Sequence, residues 1–322
     1  MITEEIATKQ NNLDVLWAKK PKGKNINDEK WLPLKAHLNG AVEMAKLIWD
    51  EWVSKNVIEQ IAKGISITDS SNLNIDNREL ARRLFIFPAY THDLGKASPT
   101  FQKKKNYPPS STDEIILKSV TDVFLVKNLY LGEKEVPHAL VSYEILRRHG
   151  FNETVAVIVG GHHGSPPNNV QINKLCGYKS ACGFDNVAWF EAQDMLLSNA
   201  LNISEISELT KEIATKINLR RPTQALLTGL LIMVDWIASD EKGFKLVSLN
   251  TYTNNIDSFK RAEHAFKDLA FPKQWKPSSS IENIYQERFN RIPRPTPYAI
   301  GTNRSCTKCA FFKYFCGGSP YG

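Results

Sequence analysis

The chain has 322 residues, 42% hydrophobic and 23% charged, the composition of an ordinary soluble globular protein with room for one large core or two small ones. Its formal charge of +7 favours a polyanionic partner. No stretch approaches the ~18 apolar residues of a membrane span. The acidic N-terminus lacks a signal-peptide pattern, and an odd set of five cysteines suits reduced thiols in a cytoplasm.

In chain order, Leu34, Leu38, Val42, Ala45, Trp49 and Trp52 recur at helical spacing behind Pro33, which suits a first helical turn. Gly64 to Asn77 is polar and turn-rich and reads as a loop. Glu79 to Thr91 is again apolar-periodic, with Pro88 placed to kink it. Lys103 to Thr112 reads as a second loop. Helices follow from about Ala139 to Arg148, stopped by Gly150, and from about Glu153 to Gly160. Pro222 opens another, which contains the most apolar segment, Ala225 to Ala238. No sustained period-two alternation argues for a sheet, so the expected class is all-α. Residues 291–322 are rich in Pro, Gly and aromatics and are expected to form an irregular tail beyond a main domain of residues 1–290. Cys306, Cys309 and Cys316 in that tail have no fourth ligand at zinc-site spacing and read as free thiols.

The chemistry lies in the histidines and two aspartates. His37 falls on the first helix. His92 and Asp93 are adjacent at a helix end, followed by Leu94, Gly95 and Lys96. His138 opens a helix after Pro137, and His162 and His163 stand between glycines. Asp235 sits among apolar residues, so its carboxylate should be buried, which is costly without a metal ion or an Arg or Lys partner. Imidazole and carboxylate together are the donors of borderline transition metals rather than of Mg²⁺ or Ca²⁺. A single aspartate can bridge two ions, and a pair roughly 3.5–4 Å apart clamps a phosphate for in-line displacement. Lys96, about one turn beyond Asp93, is placed either to neutralise charge on phosphoryl oxygens or to cap the preceding helix.

His37, His92-Asp93 and Asp235 reproduce the H…HD…D order of the HD superfamily. The flanks are more specific: Trp-Leu-Pro-Leu-x-x-His-Leu at 31–38, His-Asp-Leu-Gly-Lys-Ala-Ser-Pro-x-Phe-Gln at 92–102, Gly-x-His-His-Gly at 160–164 and Gly-Leu-Leu-Ile-Met-Val-Asp-Trp-Ile-Ala-Ser at 229–239. Over about residues 13 to 290 the chain resembles the HD nuclease portion of the CRISPR-associated helicase-nuclease of type I systems, in particular the type I-E branch. The resemblance implies an HD-domain helical bundle with a dinuclear metal cleft. It implies that His37, His92, Asp93 and Asp235 hold one divalent transition metal (Mn, Co, Ni or Fe), and that Asp93 bridges to a second held by His138, His162 and His163. Lys96 matches the lysine after the HD dipeptide, with a supporting catalytic role. The family cuts single-stranded DNA after a Cascade-type surveillance complex has opened an R-loop.

The Lys103, Lys104 and Lys105 run follows the HD motif closely and is expected to contact nucleic acid. The remaining basic runs, including Arg147-Arg148 and Arg220-Arg221, read as solvated faces. Trp17, Trp31 and Trp189 read as core rather than base-stacking residues, and His149 and His264 as surface positions. The sequence contains neither a phosphate-binding Gly-x-x-x-x-Gly-Lys-[Ser/Thr] loop nor a helicase Asp-Glu-x-His/Asp motif, so a helicase is expected in trans or missing from this chain. The expected function is a metal-dependent DNA endonuclease of CRISPR interference, with no membrane association. Its alternatives are an HD phosphohydrolase acting on nucleotides and a non-catalytic module that binds a CRISPR complex.

Overall fold

The computed structural model describes residues 12–21, 29–67, 76–124, 135–206 and 215–272. The chain divides into two compact units, Met1–Pro272 and Lys273–Gly322. The second unit, the expected boundary near Asn290 and Cys306, Cys309 and Cys316 lie outside the described residues.

The first unit is helical, as its periodicity predicts. Its main helices are α1 (Leu34–Leu47), α2 (Lys55–Lys63), α3 (Asn77–Thr91), α4 (Ser111–Phe124), α5 (His138–Arg148), α6 (Glu153–Gly160), α7 (Val187–Ile203), α8 (Arg221–Ala238) and α9 (Ser258–Asp268). Their ends follow local chemistry. Pro33 caps α1, the Asp76 carboxylate accepts from Arg78 N at 3.3 Å to start α3, and Asn152 accepts from Thr154 N at 2.9 Å to start α6. Gly150 stops α5 with φ at +85°, a left-handed conformation that glycine adopts without steric cost. Pro88 lies inside α3 rather than ending it, and its carbonyl accepts from His92 N at 2.8 Å.

Two expectations need correction. The apolar period through Trp49 and Trp52 does not continue as one α-helix: after Leu47 the chain widens into a π-helical turn, Ile48–Trp52. Gly64 to Asn77 is not loop from its start. Ile65–Ile67 forms β3, antiparallel to β4 (Ile217–Leu219), while β1 (Trp17–Lys19), β2 (Lys30–Pro33) and β5 (Val247–Ser248) make a small second sheet in the order β1-β2-β5. Strands this short show too little alternation to be read from sequence.

α1, α3 and α8 pack on one another at the centre; α6 packs on α8 and α5 on α6. Leu38, Ala41, Met44, Leu84, Phe87, Leu231 and Val234 from the central three are at most 1% exposed. Trp17, Trp31 and Trp189 are buried too, and Trp189 stacks on Phe124 with centroids 4.1 Å apart. No helix among the described residues is long and apolar enough to cross a membrane.

The turn after α3 is held from three directions. Gly95 N donates to Ser142 Oγ of α5 at 2.7 Å. Gln102 Nε2 donates to Lys96 O at 2.8 Å and to Trp17 O at 2.9 Å. Gln193 Nε2 of α7 donates to Ala97 O and Cys182 O, both at 2.8 Å. Buried bonds to carbonyls of a turn remove its freedom, and each contributes about 0.5–1.5 kcal/mol net. Gln193→Leu keeps side-chain volume but removes two such bonds, so chemical denaturation should show a loss of about 1–3 kcal/mol. An unchanged midpoint would mean that Gln193 does not hold this turn.

Candidate metal centre

α3 ends between His92 and Asp93, and that break solves a geometric problem. Neighbours on a helix point about 100° apart, but His92 is still helical (φ −55°, ψ −39°) while Asp93 has left the helix (φ −106°, ψ 15°). Both side chains therefore reach one cluster, with His92 Nε2 3.3 Å from Asp93 Oδ2. α6 repeats the device at Gly160 and Gly161, bringing the His162 and His163 rings to 4.1 Å between centroids.

Asp93, 1% exposed, faces two groups with its two oxygens. Oδ2 lies 2.8 Å from His37 Nε2 and 2.6 Å from Lys96 Nζ. Oδ1 lies 3.0 Å from His138 Nε2 and 3.7 Å from His162 Nε2. Asp235 Oδ1 is 3.5 Å from His92 Nε2 and accepts from Ser239 Oγ at 3.1 Å. His163 Nε2 meets His138 Nε2 at 2.9 Å. The ligand atoms form two clusters, His37, His92, Asp93, Asp235 and His138, His162, His163, each within 4.8 Å of one another. All seven residues singled out in the sequence thus converge, as does Lys96.

The donor set fits divalent metal ions. His92 Nδ1 lies 2.9 Å from Ala89 O and His162 Nδ1 2.7 Å from Val159 O, contacts that keep a proton on Nδ1 and aim Nε2 inward, as a lone pair in the neutral His162 ring. His162 Nε2 is buried without a hydrogen-bond partner, a costly state that a cation would relieve. The first cluster is wholly buried, whereas His163 is exposed and begins the exposed run 163–166, so the site opens at its second half.

Protonation follows the charges. Burial alone would raise the Asp93 carboxyl, but Lys96, His92 and His138 hold it well below the usual carboxylate range. Burial would raise Asp235 as well, and the His92 hydrogen bond and charge outweigh it. Burial pushes His37 down to about 4, with Lys96 adding to the effect, and pushes His162 down to about 3 with help from His92. His163 is lowered by burial and by His138. Burial would lower His92 too, but Asp93 and Asp235 raise it to about 10.

Other expected positions fall elsewhere. Lys105 is exposed, and Lys103 and Lys104 are half-buried on the rim. Lys104 Nζ lies 5.6 Å from the Phe101 ring centroid, and the same ring lies 5.5 Å from His138. His264 is exposed, but His149 is not the surface residue its neighbours suggest. Its side chain is 9% exposed, bonded to Ile145 O and Asp194 and stacked on Phe190, because Phe190 and Asp194 of α7 lie against the end of α5. Sequence reasoning missed the supports Ser142, Gln193 and Ser239. A polar residue at i+4 from a ligand, as Ser142 is from His138 and Ser239 from Asp235, is the signal that marks two of them.

The family profile described as "Cas3, HD domain" matches residues 17–244. The chain is 32% identical over 298 residues to the CRISPR-associated nuclease/helicase Cas3 of Streptococcus thermophilus; that span is 87% of this chain and 30% of the relative. Two crystal structures share the fold. A CRISPR-associated protein matches with a TM-score of 0.66 at 23% identity, over 90% of this chain and 30% of that one. T. fusca Cas3-ADP matches with a TM-score of 0.51 at 19% identity, over 88% of this chain and 30% of that one. The chain therefore spans about a third of the length of these relatives.

Acid should destabilise the metal-free protein. Unfolded His37 and His162 gain protons near pH 6.5, while in the fold they stay neutral down to about 4 and about 3. The unfolded state binds more protons in that window, so stability is full above pH 6.5 and falls between about 6.5 and 4. His92 works oppositely: its contribution is complete below pH 6.5 and is lost as pH rises through about 10, so it adds no slope in the acid window. Thermal melts in chelator should show Tm dropping from about pH 6.5 to about pH 4, and less steeply for His162→Asn. A flat profile would mean that these imidazoles are not buried neutral.

Proposed function

As this chain belongs to the family of Cas3 HD domains, we propose that it is a metal-dependent phosphodiesterase that cuts single-stranded DNA endonucleolytically in CRISPR interference. The observation that carries the reading is Asp93, whose two oxygens face two separate sets of metal donors. His37, His92, Asp93 and Asp235 would hold one divalent transition metal, and Asp93, His138, His162 and His163 a second. When bound, such a pair supplies Lewis-acid charge to the phosphoryl oxygens and lowers the pKa of attacking water.

The chain's own groups supply the rest. The Ala89 and Val159 carbonyls orient His92 and His162, so no ring must rotate when substrate arrives. The Lys96 ammonium, 9% exposed, stands beside Asp93, where it can neutralise charge growing on the phosphodiester. The exposed edge from His163 onward admits a long strand, whereas a nucleotide hydrolase needs walls around a small substrate. In this reading the work is cytoplasmic, a Cascade-type complex exposes the strand, and a helicase acts beside this domain. Lys103, Lys104 and Lys105 would steady the strand backbone.

Circular single-stranded DNA has no ends and should be cut in Mn²⁺, Co²⁺ or Ni²⁺, with intact duplex resistant. Survival of the circle while dNTPs are hydrolysed would instead favour a nucleotide phosphohydrolase.

Two substitutions should fail differently. Asp93→Ala should lose bound metal, by elemental analysis, together with cleavage. Lys96→Ala should retain its metal while the cleavage rate falls on the order of 10²–10³-fold. Full activity in Lys96→Ala would return Lys96 to a helix-capping role, and Asp93→Ala with normal metal content and cleavage would remove the basis of the assignment.

A further inference from the structure

Two segments leave the open half of the metal centre and pack against each other. One is the start of α5, where Pro137 precedes His138. The other is the short helix Asn169–Leu175, reached from His163 through an exposed run. Between them lies a cavity of about 280 Å³, lined by Val136, Pro137, Leu140, Gln171, Lys174 and Tyr178 with Glu135 at its edge. Val136 and Leu140 are 4% and 8% exposed and form an apolar floor, Tyr178 is half-buried, and Gln171 and Lys174 are exposed. A second cation reaches this edge: Lys104 Nζ is 3.0 Å from Glu135 Oε2.

We propose that this cavity is a nucleobase subsite, taking one base of the strand against Tyr178 and Leu140 while Lys104 and Lys174 meet the flanking phosphates. The inference rests on the single-strand reading above and adds where that strand is gripped. At about 280 Å³ the cavity lies at the small end of the ~300–1,000 Å³ range of small-molecule pockets, which suits a single planar ring system. Its composition is one aromatic ring, an apolar floor and flanking ammonium groups, the combination that binds unpaired nucleotides with little sequence preference. Continuity with the metal centre is covalent: Pro137 lines the cavity and His138, the next residue, has its Nε2 3.0 Å from Asp93 Oδ1. The Lys104–Glu135 pair is solvent-exposed at the carboxylate, 68%, and such pairs contribute little, so a phosphate can take the place of Glu135. A paired and stacked base cannot enter without leaving the duplex. The subsite thus supplies a physical cause for single-strand preference that the metal centre alone lacks.

Binding of fluorescent oligothymidylate and of an abasic strand of equal length to the full chain, in chelator to prevent cutting, tests the proposal by anisotropy. The wild type should bind the base-bearing strand on the order of tenfold more tightly. Tyr178→Ala should abolish that preference, still bind the abasic strand like the wild type, and so report intact folding; Tyr178→Phe should restore the preference. Lys174→Ala should weaken both strands and reduce the salt dependence of binding. Equal wild-type affinity for both strands, or a preference that survives Tyr178→Ala, overturns the subsite while leaving the single-strand reading in place. Failure of the wild type to bind either strand overturns both.

Discussion

Asp93 is a carboxylate with almost no access to water, placed where four helices meet the turn that carries it, and its ionised form requires positive charge on both sides. Burial opposes that form. His37 and Lys96 answer one oxygen, His138 and His162 the other, so the charge is shared across the cleft. Much of the surrounding architecture serves to keep those groups within reach. α1 brings His37, α5 brings His138, α6 brings His162 and His163, and α8 brings Asp235 to the same residue of a single turn.

A turn of this kind is only as rigid as its backbone partners, and here side chains add to the bonds of its own 3-10 turn, Leu94–Lys96. Ser142, Gln102 and Gln193 come from three separate parts of the chain and bond three successive residues, Gly95, Lys96 and Ala97. Gly95 is where α5 comes closest: a Cβ there would lie 2.0 Å from His138 O. Helix α5 can therefore lie directly on the turn, which fixes the distance between Asp93 and His138. The two proposed metal positions are registered to each other by that contact, so a larger residue at 95 would separate them before it touched either ligand set.

The imidazoles of the centre do not share one protonation state. His92, between two carboxylates, is driven toward its charged form, while His37 and His162 are driven toward neutrality by burial. Neutral imidazole is the metal-binding form, so in the proposed site His37 and His162 would be ready ligands and His92 would have to give up its proton to join them. In the metal-free protein His92 and Lys96 supply the positive charge that cations would otherwise supply. The same carboxylates can therefore stay ionised with metal bound or absent.

Much of this was legible in the residues. Helical periods placed α3, α5, α6 and α8 within a residue or two, Asp235 was recognisable as a buried charge, and the H…HD…D order with its flanks picked out residues that converge in the fold. Periodicity and motif order are local in sequence, which is why they survive without coordinates. The clamp by Gln102 and Gln193, the burial of His149 against α7 and the cavity beside His138 depend on which elements meet, and no local pattern carries that information. Division of Asp93's oxygens between two donor sets is likewise a property of packing: the sequence by itself determined which side chains offer metal-donor atoms, and only the meeting of α1, α5, α6 and α8 around one turn decided that a single carboxylate would face them all.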